Sequence, residues 1–458
     1  MKRFFTVCMA LLFAANAFAQ EAKTEEKKGP EFKYSIWANA FAVTENTANK
    51  DEQKEYSNVR VRPMFTLSNE NVSVVTRFEI DQFFGAKYNK VDVSGTKPTV
   101  PSGNDSSYAD PDGDEKAVEV KWAYVNVKDM IMPGLSMTAG LAPYVYSIGF
   151  NNDMPMFNLV YDAGMVKVDL AYIKFAEGTT TDKSAAVKAT STSGVDKEDD
   201  AQAYALKLPV KLGDITVTPS VLYYTGEKNV EEYDKKTGAV AASGEEVTLT
   251  MPALGVKAKM GDISLDADFQ YIMGEVKDTV ASTKMDVAAY AAYVNAGYKA
   301  SDSLKINFFG LYSTGETDKT DEITSFQSAS MDEIEVGPMF IINDNGLINQ
   351  VGVTTEYDKA TEGLMMFGLA AEFKMDKLTA LAQIAYAQTS SDKVIKDTAL
   401  GTEIDLRLSY EVAPKTSLWV EGAYLAVGKY IEAKDAAATT PAGKQNPTYY
   451  AAGLMTSF

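Results

Sequence analysis

From Asn58 to Leu67 the chain switches character at every residue: Val59, Val61, Pro63, Phe65 and Leu67 alternate with Asn58, Arg60, Arg62, Met64 and Thr66. The period recurs at 72–81, where Val72, Val74, Thr76, Phe78 and Ile80 alternate with Ser73, Val75, Arg77, Glu79 and Asp81, and again at 263–271 and 400–410. Successive side chains of a strand point to opposite faces, so a period of two marks a strand whose faces meet different surroundings. Applied along the chain, it predicts strands at 32–43, 56–67, 71–84, 116–128, 134–142, 156–162, 165–176, 201–211, 214–225, 247–259, 262–273, 284–299, 303–315, 363–375, 378–390, 399–412, 416–428 and 448–458. These are about 18 strands, with sixteen to twenty compatible with the same pattern. Residues 362–388 are rich in helix formers, but alternation on both sides of Asp376-Lys377 favours two strands, and a helix would break the strand parity.

The connections alternate as well. Short ones (Ser68-Asn69-Glu70, Ala163-Gly164, Leu212-Gly213-Asp214, Gly261-Asp262, Ser301-Asp302, Asp376-Lys377, Pro414-Lys415) interleave with long polar stretches at 85–115, 176–200, 226–246, 316–362 and 429–447. One compact rim and one rim free to grow is the layout of an up-and-down meander closed in a membrane. A soluble sandwich would give the same alternation, but three features point away from it. The strands are longer than the usual five or six residues. Aromatics gather near the ends of the apolar faces: Phe32, Tyr34, Phe78, Trp122, Tyr124, Tyr172, Tyr223, Tyr271, Tyr298, Tyr312, Tyr386, Tyr410, Tyr424, Tyr450 and Phe458. The apolar faces are almost free of charge. The expected fold is therefore all-β: a transmembrane antiparallel up-and-down β-barrel with short periplasmic turns and long extracellular loops.

The amino-terminal sequence fits that expectation. MKRFFTVCMALLFAANAFAQ has two cations, a short apolar run and Ala17-Phe18-Ala19, the layout of a secretory signal peptide cut after Ala19. Residues 20–31 then form a charged tail of disordered character, and 32–458 the barrel. Cleavage removes Cys8, Lys2 and Arg3, leaving 42 cations against 63 acids, a net charge of −21. Such a chain repels nucleic acid. With no His and no remaining Cys, thiol nucleophiles, His bases and His or Cys zinc sites are excluded. No enzymatic reading survives, and neither a cofactor nor a metal is expected. Asp110-Pro-Asp112-Gly-Asp114-Glu115 superficially matches a calcium loop, but it contains Pro and lacks the twelfth-position Glu, so it reads as a solvated acidic tip.

At the other end, YYAAGLMTSF places Tyr450, Ala452, Leu454, Thr456 and Phe458 on one face of the last strand. This ending resembles the assembly signal of Gram-negative outer-membrane barrel proteins, which implies recognition by the outer-membrane assembly machinery through Tyr450, Leu454 and Phe458. WAYVNVKDMIMPGLSMTAGLAPYVYSIGFNND followed by DAGMVKVDLAYIKF is similar to the corresponding stretch of porins of the alginate-export type and related substrate-specific porins. Leu141 stands where those families carry an arginine, which argues against an anionic sugar. The resemblance implies a passive channel for ions and small polar solutes in the cell outer membrane, surrounded by lipid and lipopolysaccharide. A homotrimer is implied only by analogy with other porins. The rival reading is a non-conducting surface or adhesive barrel whose long loops bind a partner.

Strand parity sets the expected pore-lining charges: Arg60, Arg62, Arg77, Glu79, Asp81, Glu119, Lys121, Asp266, Asp268, Glu403, Asp405 and Arg407. Arg60, Arg62 and Arg77 could form a basic ladder facing the acids of the penultimate strands across the pore, or could pair locally with Glu79 and Asp81. A barrel of this size is too wide for its wall side chains to fill, so constriction is expected from an infolded segment. The candidates are 142–155 and 316–362, the second of which could instead be an outer hairpin or two more wall strands.

Overall fold

The computed structural model describes residues 29–46, 53–84, 117–147, 150–176, 201–233, 240–278, 283–317, 322–326, 339–342, 362–393, 396–430 and 446–458. The expected signal peptide, most of the amino-terminal tail, the acidic tip 110–115 and most of the long connections lie outside these residues. The strands are β1 (Glu31–Asn46), β2 (Gln53–Ser68), β3 (Val72–Phe84), β4 (Ala117–Val127), β5 (Leu135–Ser147), β6 (Phe150–Asp162), β7 (Lys167–Ala176), β8 (Ala201–Lys207), β9 (Val210–Leu212) and β10 (Ile215–Tyr233). They continue with β11 (Val240–Met260), β12 (Ile263–Asp278), β13 (Thr283–Lys299), β14 (Leu304–Ser313), β15 (Glu322–Ile323), β16 (Leu364–Met375), β17 (Leu378–Thr389), β18 (Ala399–Ala413), β19 (Thr416–Val427) and β20 (Thr448–Ser457).

Two of these elements do not count as separate staves. β8 and β9 both pair with β10 and form one wall strand broken at Leu208-Pro209, where proline has no N–H to donate. β15 is a two-residue segment lying parallel to β13, while β14 pairs directly with β16. The wall is therefore a closed antiparallel barrel of 18 strands. Among the described residues, those of 316–362 add no wall strand. Closure is made by β20, which pairs with β19 on one side and β1 on the other. The backbone N–H of Phe458 donates to Ile36 O at 2.9 Å, and the Ile36 N–H donates back to Phe458 O at 3.3 Å.

The predicted strands all have counterparts, and 364–389 is a hairpin rather than a helix. The main difference is length at the open rim. β10 runs to Tyr233, β11 starts at Val240 and β12 reaches Asp278, because cross-strand hydrogen bonding continues where two solvents no longer enforce alternation. The compact rim uses tight turns. Gly213 (φ 65°), Gly261 (φ 59°), Asp376 (φ 54°) and Lys415 (φ 61°) supply the left-handed backbone that two-residue hairpins need.

The outward face carries a band of exposed apolar residues such as Leu369, Ile384, Ile404, Leu406, Leu418 and Val420. Ring pairs mark it at Phe32–Phe65, Tyr172–Tyr204, Tyr290–Tyr312 and Phe367–Tyr386, with centroids 5.4–6.2 Å apart. Two parity assignments are corrected. Trp122 and Tyr124 point inward rather than joining the aromatic belt, because a β-bulge pairs Arg77 with Trp122 but Phe78 with Val120, leaving Lys121 as an extra residue. A second bulge makes Leu400 the extra residue between Ala399 and Gly401, and it is buried rather than facing lipid.

Candidate functional site

Among the described residues, two segments narrow the barrel lumen. The β5–β6 hairpin extends to Ser147 and Phe150 and leans across to touch β11 and β12. Tyr146 donates its hydroxyl to Met251 O, and Ser147 Oγ donates to Asp268 Oδ1 at 2.6 Å. Lys207 Nζ donates to Val145 O at 2.6 Å from the neighbouring wall. Tyr144, Tyr146 and Met154 pack with inward-facing Leu249, Met251 and Ile272 in one buried cluster. The described residues of the candidate stretch 142–155 thus form paired strands that lean inward.

The second segment is Met339–Ile342. Its backbone N–H groups donate to two wall carboxylates: Phe340 N to Asp405 Oδ2 at 3.2 Å, Ile341 N to Glu403 Oε1 at 2.6 Å and Ile342 N to Glu403 Oε2 at 2.8 Å. Gln383 Nε2 also donates to Asp405 Oδ2, at 2.7 Å. Met339, Ile341 and Ile342, with Phe326, pack onto inward-facing Leu364, Met366, Ala387 and Leu425. Near the same end, Tyr430 donates to Glu362 Oε1 at 2.6 Å. Burial and that carboxylate raise the Tyr430 phenol pKa, so it stays a donor.

The expected pore-lining charges fall into groups. On β2–β4, Arg60 binds Asp81 through Nε at 2.7 Å and Nη2 at 2.9 Å, and lies 3.6 Å from Glu79. Arg62 pairs with the other Glu79 oxygen, and Lys121 lies 4.0 Å from Glu79 and 3.4 Å from Glu119. The Glu79 and Asp81 side chains are only 6% and 15% exposed, while Arg60 and Arg62 keep 34% and 29%. The carboxylates are therefore covered by the guanidinium groups, which present their outer edges to the lumen. The ladder is locally paired, as expected when wall charges must be satisfied in a confined space. Arg77 lies 4.3 Å above the Trp122 ring, whose indole N–H donates to Asp153 at 2.7 Å.

The other tryptophans repeat this arrangement. Arg62 sits 5.2 Å over Trp37 and Arg407 sits 5.1 Å over Trp419, and Trp419 donates to Asn39. All three tryptophans of the chain thus hold an arginine against the wall. Nothing in the alternation announced this, because a Trp on either face keeps the period. Arg407 also lies 3.5 Å from Glu421. Asp266 pairs with Lys257 at 3.1 Å, and Asp268 holds the hairpin tip. The expectation of acids on β18 facing the arginines across the pore is corrected: Glu403 and Asp405 are buried beneath Met339–Ile342. Leu141 lies on the face opposite buried Ala142 and Tyr144, so it does not line the lumen.

Between the hairpin and the compact rim a cavity of about 430 Å³ opens on the wall of β3–β8. Its lining includes Ser73, Tyr124, Asn126, Thr138, Tyr144, Asn158, Asp169 and Lys207. At the carboxyl end, Tyr450, Leu454 and Phe458 are all exposed on the outward face of β20. Among the described residues no group of three or more metal-ligating side chains forms.

No protein-family model matches the sequence, and no curated protein matches it in sequence either. The fold has counterparts. OccAB1 of Acinetobacter baumannii superposes with a TM-score of 0.52 and 12% identity, covering 96% of this chain and 100% of that one. OccK9 (OpdG) of Pseudomonas aeruginosa gives 0.52 and 10%, covering 93% and 98%. OccAB4 of A. baumannii gives 0.51 and 9%, covering 95% and 100%. What these structures share with this chain is the fold, a closed antiparallel β-barrel of 18 strands.

Proposed function

We propose that this chain is an outer-membrane channel through which small polar solutes diffuse down their gradients. The supporting observation is the wall itself: an apolar belted exterior, and an interior lined by paired charges and narrowed by two inward segments. Such an interior restricts passage by size and by local hydrogen bonding more than by net charge, since the arginines of β2 and β3 have carboxylate or aromatic partners. Export by a signal peptide cut after Ala19 and recognition of Tyr450, Leu454 and Phe458 by the assembly machinery belong to the same proposal. The resemblance to substrate-specific porins adds a preferred solute to it, and ion passage is its simplest consequence.

Planar-bilayer conductance of the detergent-purified, heat-modifiable protein tests the reading. Discrete steps under a salt gradient are the expected result, and silence from folded protein would overturn it in favour of a closed surface barrel.

A further inference from the structure

We propose that the cavity beneath the β5–β6 hairpin is a binding subsite for neutral, hydroxyl-rich solutes of the size of one or two sugar rings. The inference rests on the channel reading and adds the solute class. The volume, about 430 Å³, falls within the usual range of small-molecule sites, roughly 300–1,000 Å³.

The charges in the cavity are already compensated. Lys207 donates to Val145 O at 2.6 Å and lies 3.8 Å from Asp169, with its ammonium 5.1 Å over the Tyr144 ring. Asp169 in turn accepts from Asn158 Nδ2 at 2.6 Å. An anionic solute would meet the Asp169 carboxylate and a cationic one the Lys207 ammonium. A neutral solute meets neither conflict.

What remains for a ligand is uncharged hydrogen bonding and an aromatic face. Asn126 spends one donor on Thr138 Oγ1 at 2.9 Å and keeps its amide at the cavity, next to Tyr124. Amides that both donate and accept match hydroxyls, which do the same. A tyrosine ring beside them suits the apolar C–H face of a pyranose. The arginine cluster of β2 and β3 does not line this cavity, so the two sites would sort solutes differently.

The test is isothermal titration calorimetry of the full-length protein in detergent with maltose and, separately, with gluconate. It needs no conductance, so it stays informative even if the channel reading fails. Saturable maltose binding, weakened about tenfold by Asn126→Leu and by Tyr124→Ala in protein that retains heat modifiability, is the expected result; tenfold corresponds to about 1.4 kcal/mol. Gluconate binding more tightly than maltose, or maltose binding unchanged in both variants, would overturn the proposal. Maltose block of single-channel current, lost in the same variants, would place the subsite on the conducting path.

Discussion

Two patches of the same lumen wall handle buried charge in opposite ways. On β2–β4, Glu79 and Asp81 are neutralised by side-chain cations, and Arg60 and Arg62 stay about one-third exposed to the pore. On β18, Glu403 and Asp405 are 0% and 2% exposed, and their main partners are backbone N–H groups of Met339–Ile342. The first arrangement leaves a charged surface open to the lumen. The second uses carboxyl oxygens as acceptors to anchor a piece of chain, because N–H groups of an irregular segment inside a barrel need acceptors. Carboxylates can therefore either tune the pore or narrow it.

The largest expected effect comes from breaking the anchor. Glu403→Ala with Asp405→Ala removes the acceptors of three backbone N–H groups, each bond contributing on the order of 0.5–1.5 kcal/mol. Undocking of Met339–Ile342 should raise single-channel conductance while the barrel still shows heat modifiability. Unchanged conductance would mean that the segment does not obstruct the path.

A smaller effect is expected on the other patch. Arg60→Ala uncovers Asp81 and part of Glu79, costing about 1–2 kcal/mol once partial exposure is allowed for. The reversal potential under a salt gradient should move toward cation preference, and Arg62→Ala should move it the same way. A shift toward anions would contradict the local pairing. The smallest effect lies away from both patches: Lys415→Gly relieves a left-handed backbone at the compact rim (φ 61°). It should raise thermal stability by about 0.4–1 kcal/mol without altering conductance.

Much of this architecture was legible in the residues. Alternation survives wherever one face meets lipid and the other a polar interior, so Val59 to Leu67 and Ile404 to Tyr410 read correctly one residue at a time. Turn positions such as Gly213-Asp214 and Asp376-Lys377 were equally plain, since few residues tolerate the backbone they need. Parity failed at Trp122 and Leu400, where a single extra residue in a bulge turns side chains to the other face with no compositional mark.

The constriction was legible only as two candidate stretches. Apolar residues such as Met339, Ile341 and Ile342 carry the same signal whether they build a wall, cap an outer hairpin or fill a lumen. Their fate depends on acceptors at Glu403 and Asp405, more than sixty residues away. The sequence by itself determined the strands and most of their faces, because these follow from local periodicity and from the two surroundings the wall separates. Only the tertiary structure decided which segments enter the lumen, which charges they cover and where a cavity remains, because those outcomes depend on long-range hydrogen bonds and packing that local periodicity does not encode.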